Sequence, residues 1–309
     1  MSQPDQEIIP IPIPTPIPIP TPIPIPLVPN PIQTIDKIIF SSGGAKGYAL
    51  IGVIRKLQEL NIKIKYYTGT SIGSLFAYLY SLGYTANELE QIFADFSYEK
   101  YQSINILSIL ARFGLDNFAK MGIFITDILK KKSIPHTLTF AEHYNKTKHV
   151  LVIDALCINT RRNTYFNYKS HPNMPILVAI QASMSIPMLF TCVQYEGFTY
   201  VDGGATGDLI SDQHLEIYPV DDREPGSILC VNLFQESRVS CSSINTVGEY
   251  LVQLTNCISE KIGRSAIPNL KGIHYFNLFD DVVETIGLLT ISKETKSFLI
   301  KLGYDKIVL

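Results

Sequence analysis

The chain has 309 residues, 46% of them hydrophobic and 17% charged, with a formal net charge of −2. That length allows one large folded domain or two small ones with a substantial buried core, and so balanced a charge gives no reason to expect nucleic-acid binding. The five cysteines (Cys157, Cys192, Cys230, Cys241 and Cys257) are odd in number and form no CxxC pair, which argues against a disulfide framework or zinc site and for a reducing compartment. Cys157, Cys192 and Cys230 lie in apolar runs and read as small core residues. Neither a basic start with an apolar run behind it nor an apolar stretch of about 18 residues occurs, so no signal peptide or membrane span is expected. A cytoplasmic protein is the expectation.

Residues 9 to 26 read IPIPIPTPIPIPTPIPIP. Each proline fixes its own φ and pushes the residue before it out of the α region, and none can donate to a strand ladder. Polyproline II remains, roughly 50 Å of semi-rigid extension at about 3.1 Å per residue. Residues 1 to 35 are therefore read as a disordered or polyproline II tail, either a low-complexity spacer or a docking segment for a protein partner with an aromatic-lined groove. Residues 36 to 309 are read as one folded domain.

In that domain Lys37–Phe40 reads as a buried strand, followed by the glycine turn SSGGAKG and a helix from about Lys46 to Leu60. Leu50, Val53, Ile54 and Leu57 supply the helical period and Asn61 its C-cap. IKIKYYTGT reads as a strand running into Ser71, and IGSLFAYLYSLG as a helix stopped by Gly83. Thr85 and Glu88 form a capping box that opens a mostly helical region to about Lys132. HVLVIDALCI and TYFNY read as strands, ILVAIQASMS as a helix, and GFTYVDGG and SILCVNLF as strands. Two helices complete the chain, one over residues 246–262 and one capped by Ser292 and ending near Gly303. The βαβα order implies an α/β protein with parallel strands covered by helices.

Gly69-Thr-Ser71-Ile-Gly73 has the G-x-S-x-G spacing of a nucleophile elbow, with a strand before it and a helix after it. The alternative is a tight turn whose glycines serve packing alone. The glycine turn before it could hold a phosphate or an oxyanion at a helix start. Lys46 is followed by Gly47 rather than Ser or Thr, and Ser42 stands where a dinucleotide fingerprint needs its first glycine. An oxyanion hole fits better, since a serine follows on the next strand. Lys46 places a cation at a helix start, which suits either a nearby anion or a solvated surface lysine.

A serine nucleophile needs a base. Of six histidines (His136, His143, His149, His171, His214 and His274), only His214 and His274 come late enough for the order Ser…Asp…His, and neither carries a motif. Asp202, at a strand end before Gly203 and Gly204, is the better candidate, against the plainer reading of an Asp-Gly turn.

SSGGAKGYALIGVIRKL, GTSIGSL, QASMSIPMLF and VDGG together resemble, in order and approximate spacing, the four blocks of the patatin-like phospholipases, over about residues 37 to 215. The resemblance implies a patatin-like three-layer α/β/α fold with a largely parallel central sheet, the core blocks being completed by C-terminal strands and helices over 216–309. It implies that Ser71 is the nucleophile and Asp202 its dyad partner. Gly43, Gly44 and Ala45 would form the oxyanion hole, and Ser42, Lys46, Gly47, Gly69, Gly73, Gly203 and Gly204 would support the motifs. The implied activity is phospholipase A-type hydrolysis of lipid esters through an acyl-enzyme, with neither cofactor nor metal and with peripheral membrane contact. The alternative is a lipid-binding or scaffold protein that kept the fold and lost turnover. Two departures stand out: Ser42 replaces the usual glycine, and Asp208 and Ile210 stand where the family often has asparagine and proline. The lysines of LKKKS at 129 to 133 are read as solvated charges at a helix end, with attraction to anionic lipid as the alternative.

Overall fold

The computed structural model describes residues 35–206, 228–235, 244–247, 249–251, 253–254, 257, 273–279, 289 and 291–309. All belong to the compact unit Gln33–Leu309. The Ile/Pro-rich segment and Cys241, Asp208, Ile210 and His214 lie outside the described residues.

Strand β1, Lys37–Phe40, is buried along its whole length, as the apolar run Ile38–Phe40 requires of a strand covered on both faces, with Lys37 paired to Asp36 at 2.7 Å. A 3-10 turn over Gly44–Gly47 leads into helix α1, Tyr48–Glu59. Leu50, Val53, Ile54 and Leu57 are all fully buried, and Asn61 terminates the helix with φ 54°. The N–H of Ile62 donates to the Leu57 carbonyl and that of Asn61 to Gln58, each at 3.0 Å, the paired bonds of a Schellman end. Strand β2, Tyr66–Thr70, then delivers the chain through Ser71 to helix α2, Ile72–Ser81. Gly83, with φ 79°, stops it.

The capping box of Thr85 and Glu88 opens helix α3, Ala86–Ala94. The region on to Lys132 is mostly helical, as expected, but it is broken into pieces. Two short helices, α4 (Tyr98–Tyr101) and α5 (Ser108–Arg112), precede strand β3 (Gly114–Asp116) and helix α6 (Ala119–Lys130). The cause is the buried carboxylate of Asp116. It accepts the Tyr98 hydroxyl at 2.9 Å and the Ser103 and Phe118 N–H groups at 2.8 Å each, pulling the backbone away from a continuous helix. A second capping box, Thr139 with Glu142, opens helix α7, Phe140–Thr147.

Strands β4 (Val150–Cys157) and β5 (Arg162–Phe166) follow, then helix α8 (Ile176–Ser183). Strands β6 (Met188–Phe190), β7 (Val193–Tyr195), β8 (Phe198–Asp202), β9 (Ile228–Asn232) and β10 (Ile273–Asn277) complete the strand set among the described residues. Within the helix expected over 246–262, residues Val247, Glu249, Tyr250, Leu251, Gln253, Leu254 and Cys257 are helical.

The sheet order is β10-β9-β1-β2-β4-β8-β7, with β5 also on β4, and β3 pairs with β6 in a separate ribbon. Pairings from β10 through β4 are parallel, whereas β4 meets β5 and β8 antiparallel. The result is the expected three-layer α/β/α arrangement around a largely parallel sheet, with a reversal at β4.

The last helix, α9, runs over Lys293–Lys306 and so passes through Gly303 instead of ending there. A Cβ on Gly303 would overlap the Ala49 carbonyl oxygen, and one on Gly52 the Ile300 carbonyl oxygen. These glycines let α1 and α9 cross with their backbones in contact. Of the cysteines, Cys157 and Cys230 are buried as expected, Cys192 is half-buried, and the four described are free thiols.

Candidate active site

Ser71 sits at the sharp exit from β2 with φ 53° and ψ −126°, a left-handed conformation unfavourable to a residue with a Cβ. Several bonds hold it there. Its N–H donates to Ser183 Oγ at 2.8 Å. Its carbonyl accepts the Ser74 N–H at 2.9 Å and the Ser74 hydroxyl at 2.6 Å. The turn also needs its glycines: a Cβ on Gly69 would overlap the Gly73 carbonyl, and one on Gly73 the Phe40 carbonyl oxygen.

Asp202 ends β8, opposite Ala155 of β4, while Thr70 of β2 pairs with Asp154, the preceding residue on the same edge of that strand, β5 taking the other edge. Ser71 and Asp202 thus come from strands that follow one another along a single edge of β4, which sets the elbow beside the carboxylate. Ser71 Oγ donates to Asp202 Oδ2 at 2.6 Å. The Gly204 N–H donates to Oδ1 at 2.7 Å, and the Asp202 N–H donates to the Ser185 carbonyl at 2.9 Å. Burial pushes the Asp202 carboxyl up to about 6, although the bonds from Ser71 and Gly204 hold it down in part. A carboxylate in that range is a far better proton acceptor near neutrality than a free aspartate.

The ASMS stretch therefore ties both partners, Ser183 holding the backbone of Ser71 and Ser185 that of Asp202. Ser183 Oγ in turn donates to the Asp154 carbonyl at 2.5 Å. Sequence reading found the block but not these roles, since a serine near a helix end carries no signal of which distant N–H it will meet.

Gly44 and Ala45 line the same cavity as Ser71. Their N–H groups precede the first backbone bond of the 3-10 turn, from Lys46 N–H to the Gly43 carbonyl at 3.1 Å, so they are the donors a helix start leaves open. Gly43 does not line the cavity; its missing Cβ admits the Leu233 side chain. Gly47 likewise admits Ile72, and Gly203 the Asp154 carboxylate. The Ser42 hydroxyl occupies the space over Gly204, where a Cβ would come within 2.6 Å of it. That packing explains how the turn tolerates Ser42. Lys46 follows neither expectation fully, for its ammonium lies 5.4 Å from the centroid of the Phe279 ring, a cation–π arrangement.

The cavity opens to solvent, spans about 800 Å³ with that opening included, and is mainly apolar and aromatic, with Phe76, Phe93, Phe96 and Phe190 in its wall. Lys296 of α9 also borders it, but its charge is turned to backbone. Its ammonium donates to the carbonyls of Phe93, Ala94 and Phe96 at 3.4, 2.9 and 2.6 Å, capping the end of α3. Burial lowers its pKa. No sequence signal marked Lys296, because the contact joins residues 200 positions apart.

The histidines stand elsewhere. His143 is buried against Ser81 Oγ at 2.8 Å, with its pKa pushed down to about 4 by burial, and His149 Nδ1 meets the Ser81 carbonyl at 2.7 Å. His274 lies level with Tyr67 and three strands across from β2, about 14 Å away at about 4.8 Å per strand. Among the described residues no group of three or more His, Cys, Asp or Glu side chains could hold a metal, and no helix is long and apolar enough to cross a membrane. Lys132 of the LKKKS run bonds the Gly83 carbonyl at 2.9 Å and pairs with Glu88.

A strained elbow serine bonded directly to a buried carboxylate, beside backbone donors and an apolar cavity, has the parts of an ester-hydrolysing site with the carboxylate in the place a histidine usually takes. A family model described as patatin-like phospholipase matches residues 38–210. The chain belongs to the patatin-like phospholipase family. It is 30% identical over 175 residues to a probable lipid hydrolase of Invertebrate iridescent virus 6, covering 54% of this chain and 59% of that protein. It is 28% identical over 178 residues to an uncharacterized protein of Acanthamoeba polyphaga mimivirus, covering 56% and 59%. The matches span about three-fifths of each relative's length. The fold is similar to that of VipD from Legionella pneumophila, with a TM-score of 0.55 at 14% identity over 88% of this chain and 66% of that one.

Proposed function

We propose that the protein is a phospholipase A-type lipid acyl hydrolase that works through a Ser71–Asp202 dyad. The observation that carries this is the 2.6 Å bond from Ser71 Oγ to the buried Asp202 carboxylate at the wall of an apolar cavity. The viral relative described as a probable lipid hydrolase supports the same substrate class.

The mechanism runs in two halves. Asp202 accepts the Ser71 proton as Oγ attacks the ester carbonyl, and the N–H groups of Gly44 and Ala45 stabilise the oxyanion, each worth about 3–4 kcal/mol. Collapse expels the alcohol portion, a lysophospholipid for a phospholipid substrate, which takes the proton from Asp202 and leaves an acyl-Ser71 ester. Asp202 then takes a proton from water, the hydroxide attacks the acyl carbonyl, and Ser71 Oγ leaves with that proton to release the fatty acid. The aromatic cavity holds the acyl chain throughout.

The test uses phospholipid with different acyl chains at its two glycerol positions and follows released fatty acid and lysophospholipid by mass spectrometry. Stoichiometric release of both, abolished by Ser71→Ala and lowered at least about a thousandfold by Asp202→Asn, is expected. Full activity in the Asp202→Asn protein would overturn the dyad. No release from any lipid ester by folded wild-type protein would overturn the enzymatic reading.

A further inference from the structure

The segment from Ile104 to Phe113 turns its apolar side chains outward. Leu110 is 84% exposed, Ile106 71% and Leu107 69%, and α5 buries none of its residues. These side chains form one surface, because Ile104 bridges to Asp116, the Asn105 N–H donates to the Leu115 carbonyl at 2.8 Å, and Gly114 pairs with Met188. Isolated apolar residues on a surface need no explanation, but a contiguous patch does.

Two further observations bear on what covers it. Phe113 and Met188, both exposed, stand at φ 60° and 64°. Left-handed backbone is costly for bulky side chains; at Phe113 it closes α5, the N–H donating to the Ile109 carbonyl at 3.1 Å, and leaves the ring exposed. The exposed charged groups along residues 98–123 are Glu99, Lys100, Arg112 and Lys120, three cations to one anion. The patch adjoins the cavity wall, for Tyr98, which bonds Asp116, and Phe190, which pairs with Asp116, both line the space that reaches Ser71. Asp116, with its three donors, holds that junction rigid.

We propose that the Ile104–Phe113 excursion, with Met188, is the surface by which the protein docks on an anionic lipid bilayer, its apolar side chains entering the acyl boundary and Arg112 and Lys120 meeting acidic headgroups. Apolar insertion combined with basic side chains is the combination that holds peripheral proteins at such interfaces. The docked cavity mouth faces the lipid, so an acyl chain reaches Ser71 without crossing water. The surface rests on the hydrolase reading only for what it delivers; binding itself does not require turnover.

The test is co-sedimentation of the full chain carrying Ser71→Ala with vesicles of phosphatidylcholine, alone or mixed with phosphatidylserine. Binding is expected to be stronger on the mixed vesicles and at least about tenfold weaker with Leu110→Ser and Phe113→Ser together. Arg112→Gln with Lys120→Gln is expected to weaken binding to the mixed vesicles alone, and Leu110→Trp to strengthen binding to both. In the Ser71-containing protein none of these changes alters hydrolysis of a short water-soluble ester, which separates docking from chemistry. Vesicle binding unchanged in the serine variant would overturn the proposal. So would a dimer that those substitutions split while vesicle binding persists, since the patch would then belong to a second copy.

Discussion

Asp202 carries opposite demands at the level of a single residue. Its raised pKa makes it a useful base, and the proposed chemistry needs it ionised. Hydrolysis should therefore rise with pH through a limb centred near 6 and fall about tenfold per unit below it, which a kcat/KM profile on a soluble ester will read. The same shift carries a stability cost of defined sign. The fold favours the protonated form, so this group's contribution is fully present below its ordinary 3.8 and is lost as pH rises through about 6. Asp202→Asn should accordingly stabilise the protein at pH 8, by at most about 3 kcal/mol for roughly two pH units, and give no gain at pH 4. Paired thermal melts at the two pH values check this. Ser183 acts one step removed. Ser183→Ala should lower kcat roughly tenfold by freeing the Ser71 N–H, a loss of about 1–2 kcal/mol, with little change in KM, as steady-state kinetics will show.

At the scale of elements, what was legible in the sequence followed local physics. The period of α1, the Asn61 end, the Thr85 box and the strand-to-elbow run are all written within a few residues of where they act. What was missed depends on distant partners. β3 exists because Gly114–Asp116 lies beside Met188–Phe190, and the buried Asp116 carboxylate gathers the Tyr98 hydroxyl and the Ser103 and Phe118 N–H groups around it. Gly303 reads as a stop signal from sequence, yet it is a contact glycine, because only the fold brings it against Ala49. Gly303→Ala should cost about 1–3 kcal/mol by forcing α1 and α9 apart. Gly122→Ala on α6, where nothing lies within 4 Å of the added methyl, should instead stabilise by about 0.5–1 kcal/mol through helix propensity. Denaturant melts of the two variants distinguish a packing glycine from a dispensable one.

For the whole molecule, the candidate site lies where the parallel half of the sheet meets its antiparallel half at β4. Ser71 arrives from β2 and Asp202 from β8, which follow one another along the same edge of β4, and the elbow turns the hydroxyl onto the carboxylate. The types and order of the two residues were legible because G-x-S-x-G and VDGG each announce a turn. Their supports, Ser183 and Ser185, were not, because each acts through backbone groups that only the assembled sheet and helices bring near. The central claim is that Ser71 is an activated nucleophile whose proton goes to Asp202. Labelling the folded protein with a fluorophosphonate and mapping the modified peptide tests it directly, with Asp202→Asn alongside. The account predicts a single adduct on Ser71 that the Asp202→Asn protein fails to form at a comparable rate. An unlabelled Ser71 in folded wild-type protein, or equal labelling in the two proteins, would contradict it.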